Sequence, residues 1–445
     1  MRHAHEQFEL DLEPRLSRRY WQLVASHSNA VSERAAGIKA LPLQSSAFAH
    51  TQGLWRFLEN ERTTPQVLME PVLAGARRAV ADSCSEYALA VHDWSRLNYR
   101  THRSKADRVQ MTHECDVGYE LQSTVLLNDT QGDPLGAVVQ NLHTQRGVWS
   151  TYSASTLKRP HLEELGDRMG WLEGQEWDKP LVHIVDREAD SVAHLRQWSA
   201  AEQRWLIRAK DSRLVEHAGE QRSLKVIAEQ LHFEFVREVE HQGRPAQQWI
   251  ASSVVRMTRA AKPKQLDDRG QRLAPVPGIA LSVRLIVSSI RDAQGKVLAL
   301  WYLLSNVESK VADERVALWY YWRWRIESYF KLLKSAGHQV ESWEQETGLA
   351  ILKRLLIASH ACALAWTLMR QSNSDTEAHS TAKFLVRLSG RQMKRTQPIT
   401  APALLAGLYQ LFATLELLEH HSHDELKALA RTAFPEYLKH REGDV

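Results

Sequence analysis

The sequence predicts an α/β (α+β) protein: a mixed sheet carrying an inserted β-domain, with helical segments at both ends of the chain. Three observations predict it. Two apolar runs, from Tyr87 to Asp93 and from Leu181 to Asp186, read as short buried strands that each deliver an aspartate at their end. Residues 212 to 300 are dense in alternating and β-branched stretches. Residues 1–75 and those beyond Lys334 carry helical patterning instead.

Taken in order, residues 1–75 read as helical, with breaks near Leu41-Pro42 and Thr64-Pro65. Pro14 and Arg15 precede Ser17-Arg18-Arg19-Tyr20-Trp21, which opens a helix with basic residues on an exposed side. Acids balance bases here, so a helical lid packed on a core is one reading of this region. A helix around Leu73 to Ser83 leads into the strand ending at Asp93. Tyr119–Leu127 and Leu135–Asn141 flank the turn-forming run Asn128 to Pro134 and predict a hairpin. A helix near Leu162–Leu172 precedes the strand ending at Asp186; a further helix, from Ser191 to Ala201, leads to a strand at Arg204–Ala209. A hairpin after the first aspartate strand, followed by alternating helices and strands, matches a ribonuclease-H-like mixed sheet.

Four strands are then predicted at Phe233–His241, Gln247–Thr258, Ile279–Asp292 and Val297–Leu304, as a β-domain inserted before the next helix. The loop from Arg259 to Pro275, with Lys262, Lys264, Arg269 and Gly270, is its most basic part. Beyond Lys334 the chain reads as helical, with a break from Ser372 to Ser380. Leu355–Met369 is too short an apolar stretch to span a bilayer and reads as a buried helix. Pro402 to Phe434 has the periodicity of helices suited to subunit pairing. The expected organisation is a helical segment 1–75, a mixed segment 76–371 with its β-rich insertion at 212–300, and a helical segment 372–445.

Composition narrows the class. The chain has 445 residues, a quarter of them charged, with a net charge of only +4, so the distribution of charge matters more than its sum. Arg96, Arg100, Arg103, Lys105 and Arg108 face a single acid, Asp107; Lys383, Arg387, Arg391, Lys394 and Arg395 face none. A third basic cluster spans Arg256 to Arg272. Singly, each cluster reads as a solvated face, but beside a metal-carboxylate site the phosphate-contact reading overtakes it. Cys84, Cys115 and Cys362 have no metal-ligand spacing and read as reduced thiols of a cytoplasmic protein. Met1 to Pro14 is acidic and has no apolar core of a secretory signal. The histidines of Glu419 to Asp424 point to different sides of a helix and read as a solvated end, while Lys39, His92, His183 and His360 read as packing or surface residues. No Gly-x-Ser-x-Gly elbow or Gly-x-x-x-x-Gly-Lys loop occurs, and absence of the latter argues against an ATP-driven enzyme.

The chemistry concentrates in Trp319 to Lys334. On one helix, Tyr320, Arg323, Glu327 and Lys334 fall within an arc of about 60° at about 100° per residue. One face would then carry a carboxylate flanked by a phenol and two cations. Aromatic residues at helical spacing are usually core, and this segment alone reads equally well that way. Together with the strand-end Asp93 and Asp186, however, Glu327 supplies the oxygen ligands that divalent ions take. The cations would grip phosphates on either side.

These segments resemble the DDE transposases of the insertion-sequence-four family. Asp186-Arg187-Glu188-Ala189-Asp190 is similar to that family's signature around the second aspartate. Tyr320, Arg323, Glu327 and Lys334 reproduce its Tyr, Arg, Glu, Lys signature at the same spacing. Asp93, followed by Leu97, Tyr99 and Arg100, resembles the first aspartate and its downstream Tyr-Arg. One departure is that Trp94 and Ser95 stand where the family often has two small hydroxyl residues.

The resemblance implies a ribonuclease-H-like catalytic domain, an N-terminal DNA-recognition domain and a C-terminal dimerisation domain. It implies cut-and-paste DNA transposition by two-metal phosphoryl transfer, with 3′-end nicking, hairpin formation and resolution, and strand transfer. Asp93, Asp186 and Glu327 would be the catalytic acids and would hold two Mg²⁺ ions, for which Mn²⁺ substitutes. Tyr320, Arg323, Lys334, Tyr99, Arg100 and the Arg208–Lys210 element would contact DNA, and Trp301 would stack a flipped base. A core tryptophan is the plain alternative at 301, and a surface pair the plain alternative at 208 and 210. The implied partners are double-stranded DNA, as transposon ends and target, and a second copy of the chain, with no membrane. Two other readings stand beside it: a non-catalytic DNA-binding regulator of transposition, and a nuclease without strand transfer.

Overall fold

In a computed structural model, residues 11–27, 47–262, 271, 273–335, 337–391 and 399–433 are described. The expected break at Leu41-Pro42, Lys39, and the basic residues Lys264, Arg269, Arg272, Lys394 and Arg395 lie outside them. Among the described residues thirteen strands form one mixed sheet, accompanied by helices. The chain folds as two compact units, each assembled from separate stretches: residues 72–96 with 120–330, and residues 1–71 with 97–119 and 331–445. The segments 1–75, 76–371 and 372–445 cut the chain differently.

The strands are β1 (Ala88–Asn98), β2 (Val109–Gln110), β3 (Val117–Asn128), β4 (Pro134–Thr144), β5 (Gly147–Ser150), β6 (Leu181–Val185) and β7 (Trp205–Ala209). They continue with β8 (Leu214–His217), β9 (Glu220–Ser223), β10 (Glu234–His241), β11 (Arg244–Met257), β12 (Leu281–Arg291) and β13 (Val297–Ser305). The order across the sheet is β5-β4-β3-β1-β6-β7-β13-β12-β11-β8-β9, with β10 on β11 and β2 on β3. β1, β6 and β7 are parallel neighbours. β6 is buried at all five positions, as a parallel strand covered on both faces requires.

The hairpin expected around Asn128 is present. Asn128 Oδ1 accepts from the N–H groups of Gln131 (2.9 Å) and Asp133 (3.2 Å), closing the turn. Gly132 adopts φ +69°, and a Cβ there would run into the Trp322 ring, so both geometry and packing require glycine.

The inserted strands join the central sheet. β13 pairs antiparallel with β7, placing Leu304 opposite Ile207, and β12 and β11 follow, so the inserted strands extend the central sheet. The reason is edge chemistry: β7 would otherwise present an unpaired row of N–H and C=O groups. One core of Val185, Trp198, Trp205, Ile207, Leu285 and Leu304 then runs from central to inserted strands.

The other unit is mainly helical: Pro14–His27, Ala47–Glu59, Gly348–Ser374, Thr376–Leu388, Ala401–His420 and His423–Ala433. Gly348–Ser374 includes the expected buried helix and is its centre. Along it, Lys353 Nζ donates to the carbonyls of Leu58 (2.7 Å) and Asn60 (3.0 Å), and His360 bonds the Tyr20 hydroxyl (2.7 Å). The expected break at Ser372–Ser380 shrinks to Asp375, whose carboxylate caps the following helix. Contrary to the sequence expectation, two helices among the described residues are long and apolar enough to cross a membrane by length and composition. The apolar window of Gly348–Ser374 is 83% buried, as in a core helix; that of Ala401–His420 is 44% buried.

Candidate active site

β1 and β6 run parallel in the register Ala88↔Leu181 to His92↔Val185. The next residue on each is the aspartate. Asp93 and Asp186 therefore emerge side by side where two parallel strands stop pairing, the usual place for a ligand in such a sheet. Asp93 is not at the end of its strand, as expected, because β1 continues to Asn98; it is at the end of the pairing with β6. Beneath the pair, the buried His92 and His183 stack at 5.2 Å and share a 2.9 Å hydrogen bond, extended by Thr124 and Glu173. That chain ties β1 to β6 just below the acids, so of the two expectations for these histidines, packing or surface, it is packing that the structure shows.

The segment carrying Glu327 departs from the single helix expected from its spacing. Asp313–Trp322 and Arg325–Leu333 are two helices separated by a turn at Arg323 and Trp324. The Arg323 N–H bonds the Tyr320 carbonyl at 3.0 Å, a tight closing turn. The first helix is fixed by Arg284, which donates to Asp313 (2.8 Å) and the Val311 carbonyl (2.6 Å), and by Arg315, which reaches Asp129 (2.9 Å). The second is fixed by the Tyr329 hydroxyl, which accepts from Gln140 on β4. Tyr320 and Glu327 thus meet the aspartates from two anchored helices, and Arg323 from the turn between them.

Their geometry is specific. Arg323 Nη1 donates to Asp93 Oδ2 at 2.8 Å, while Nη2 donates to Glu327 Oε1 at 3.1 Å and lies 3.7 Å from Asp186 Oδ2. The Tyr320 hydroxyl donates to Asp186 Oδ1 at 3.0 Å, and Arg208 Nη1 lies 3.7 Å from the same oxygen. Each aspartate also accepts the N–H of its successor, Trp94 at 2.8 Å and Arg187 at 2.7 Å.

Three carboxylates thus converge on one guanidinium. Burial pushes the Asp93 carboxyl up, with Arg323 and the Trp94 N–H opposing and Asp186 adding to it. Burial likewise raises Glu327 against Arg323. At Asp186 burial also pushes up, but Arg323, the Arg187 N–H, Tyr320 and Arg208 together outweigh it and the carboxyl is held below its usual range. The Tyr320 phenol is raised, first by burial and then by Asp186, so it remains a donor.

The donor set fits a divalent ion: oxygen-only carboxylate ligands are what Mg²⁺ and Mn²⁺ take. Among the described residues no three His, Cys, Asp or Glu side chains close up into an ion-holding group. Asp93, Asp186 and Glu327 are instead gathered around Arg323.

The remaining candidates divide. Asp190 is structural: it pairs with Arg213 at 2.5 Å and accepts the Lys210 N–H at 2.9 Å. Lys210 itself is exposed, as are Arg187 and Glu188. Trp94 turns into the fold, stacking on His161 at 5.5 Å with Arg168 at 5.8 Å, so it is a packing residue beside Asp93. Trp301 is half-buried and packs edge-on against Tyr320 at 5.6 Å. Trp324, which the sequence does not single out, is 63% exposed in the turn beside Arg323; no sequence signal marks it, because the helix break that exposes it is not announced by any glycine or proline.

Tyr99, Arg100 and Lys334 belong to the other unit. Tyr99 is fully buried with its hydroxyl on the Val340 carbonyl, which corrects the expectation of a DNA contact there. Lys105 lies buried over the Tyr99 ring at 4.8 Å, and Arg108 donates to the Tyr99 carbonyl at 2.9 Å, so this basic cluster is partly structural. Arg100 and Arg103 are exposed. Lys334 lies past the end of its helix, 3.5 Å from Glu341, rather than on a continuous helical face with Glu327.

No family model matches the chain. Among solved structures it is similar to a piggyBac transposase, in a synaptic complex with hairpin DNA seen by cryo-electron microscopy. The similarity covers 95% of this chain and 76% of that one, at 10% identity and a TM-score of 0.41, which is too remote to carry an argument about this chain's chemistry.

Proposed function

We propose that this chain is a DNA transposase of the DDE type, similar to the insertion-sequence-four family, that breaks and joins strands by metal-assisted phosphoryl transfer. The observation that carries the reading is the convergence of Asp93, Asp186 and Glu327 from two parallel strands and a helix. The order β4-β3-β1-β6-β7, with β3 and β4 as a hairpin and β1, β6 and β7 parallel, supports a ribonuclease-H-like core around them.

Two Mg²⁺ or Mn²⁺ ions, when bound by the three acids, would activate an attacking hydroxyl and stabilise the leaving oxygen. The chain's own contribution is positional. Tyr320 donates to Asp186 and holds that carboxylate in a fixed orientation. Arg208 and the exposed Lys210 offer cations to the phosphates on one side of the acids. Trp324, 63% exposed with the Arg323 guanidinium 6.0 Å from its ring centre, offers a base next to the site a more accessible platform than the half-buried Trp301. Nicking at the 3′ end, hairpin formation and resolution, and transfer to target DNA form the reaction sequence of this reading. Pairing with a second copy is supported by Leu415, Leu418 and Leu429, exposed on the C-terminal helices.

The test is cleavage of duplex bearing the element's own terminal sequence, with Mg²⁺ and with chelator. Metal-dependent nicking that matures into a hairpin is expected. Tight, specific binding without cleavage in either Mg²⁺ or Mn²⁺ would instead make the chain a DNA-binding regulator, and cleavage without joining would make it a nuclease.

A further inference from the structure

We propose that Arg323 is a resident counter-cation of the acidic triad, which keeps divalent ions out until a DNA phosphate draws its guanidinium away. The inference rests on the reading of the triad as ion ligands and adds to it a device that couples ion binding to DNA binding.

One side chain serves three acids. Its two terminal nitrogens lie 2.8 Å from Asp93, 3.1 Å from Glu327 and 3.7 Å from Asp186. Arg323 is only 7% exposed, so the guanidinium fills the space between the carboxylates rather than lying over them. An ion held by the same oxygens needs contacts of about 2.0–2.1 Å from that same space. It would also meet a like charge at close range. Arginine and ion therefore exclude one another.

Departure is built into the backbone and the chemistry. Arg323 lies in the two-residue turn between Asp313–Trp322 and Arg325–Leu333, outside both helices, while Tyr320 and Glu327 lie within them. Once released, a planar fork of donors is suited to a phosphate, which offers two oxygens at the same spacing as a carboxylate. Tyr320 and Arg208 approach Asp186 from their own elements, so that acid keeps partners when Arg323 leaves. Because the linkage is reciprocal, whatever holds Arg323 away from the triad raises affinity for the ion, and the ion in turn frees Arg323 for phosphate.

The experiment measures Mn²⁺ binding to the full chain by the electron-paramagnetic-resonance signal of free Mn²⁺, with and without a short duplex of arbitrary sequence at low salt. Without DNA, Arg323→Gln is expected to bind Mn²⁺ about tenfold more tightly than the unaltered chain, within the usual range of coupling between sites. Duplex is expected to tighten Mn²⁺ binding by a similar factor in the unaltered chain and to do little in Arg323→Gln. Arg323→Lys, whose compact ammonium cannot fork across three acids, falls between; it carries the comparison alone if the glutamine variant does not fold. Equal affinity in the arginine variants and the unaltered chain overturns the proposal. So does an equal gain in Arg208→Gln, which would reduce the effect to net charge. Glu327→Gln separates the two readings. If it loses Mn²⁺ binding, the triad holds the ion and the arginine variants decide the latch; if it keeps full affinity, the ion-ligand reading fails and the latch with it.

Discussion

Asp129 accepts the backbone N–H groups of Ser85 (2.7 Å), Glu86 (2.9 Å) and Tyr87 (3.2 Å), and Arg315 adds an ion pair at 2.9 Å. Its side chain is wholly buried. In the same unit, Asp93 and Asp186 each accept one backbone N–H and otherwise depend on Arg323, Tyr320 and Arg208. Their side chains remain 20% and 31% exposed. The difference separates two uses of a carboxylate beside an arginine. Fixed backbone donors saturate Asp129, which leaves it nothing to do but hold the start of β1 against the helix Asp313–Trp322. The site acids share one side chain, Arg323, that lies in a turn and can move away, so the oxygens it holds can be given to another ligand.

The strongest way to break that comparison is to neutralise each acid in place. Asp93→Asn, Asp186→Asn and Glu327→Gln are each expected to lower strand cleavage by about 10³-fold or more while DNA binding persists. Thermal melting should stay level or rise in Asp93→Asn and Glu327→Gln, whose carboxyls burial pushes up, and fall slightly in Asp186→Asn, whose carboxyl its partners hold down. Cleavage that survives in any one of them would take that residue out of the site.

Asp129→Ala should do the reverse. It orphans three N–H groups, that of Tyr87 buried, and leaves Arg315 only its pair with Glu86 at 3.1 Å, an expected loss of about 2 kcal/mol in urea unfolding, with the ion-pair share discounted because Arg315 is about a third exposed. Unchanged stability would remove the distinction between saturated and shared acids.

Where the sequence was legible, the signal was local. Asp93 and Asp186 end apolar runs whose continuous burial follows from parallel pairing, and Glu327 stands out by its spacing from Tyr320 and Arg323. What escaped was non-local. The turn at Arg323 falls in a run with no glycine or proline to announce it, and without that turn the guanidinium would be one more cation on a helical face. The merging of the insertion with the central sheet depends on β13 finding β7 about a hundred residues back, a pairing that no window of sequence displays. The burial of Tyr99 and Lys105, in a segment that reads as a basic surface, arises the same way.

Lys105 extends the contrast to cations. It is buried over Tyr99, and burial lowers its ammonium from 10.5 to about 8. Between those values the unfolded chain binds the proton more than the folded one, so stability should climb as pH rises from about 8 toward 10.5. The slope can approach about 1.4 kcal/mol per pH unit and should vanish in Lys105→Met, as read from urea unfolding at several pH values. Parallel curves for the two proteins would return Lys105 to the ordinary surface lysines.

Arg208 is the opposite kind of cation and gives the smallest expected effect. At 3.7 Å from Asp186 it makes a long, partly exposed ion pair that contributes little to folding. Its side chain lies on β7, one strand from the acids, with the exposed Lys210 just beyond the strand end. A phosphate bound there would displace a counterion for each cation engaged, so Arg208→Ala should leave melting unchanged and weaken all duplexes alike. The logarithmic salt dependence of binding should become shallower by about 0.9, the share of one phosphate contact. A variant that melts early with an unchanged salt slope would place Arg208 with Arg315 among the structural arginines, and would leave Arg323 as the one cation of the triad still able to change partners.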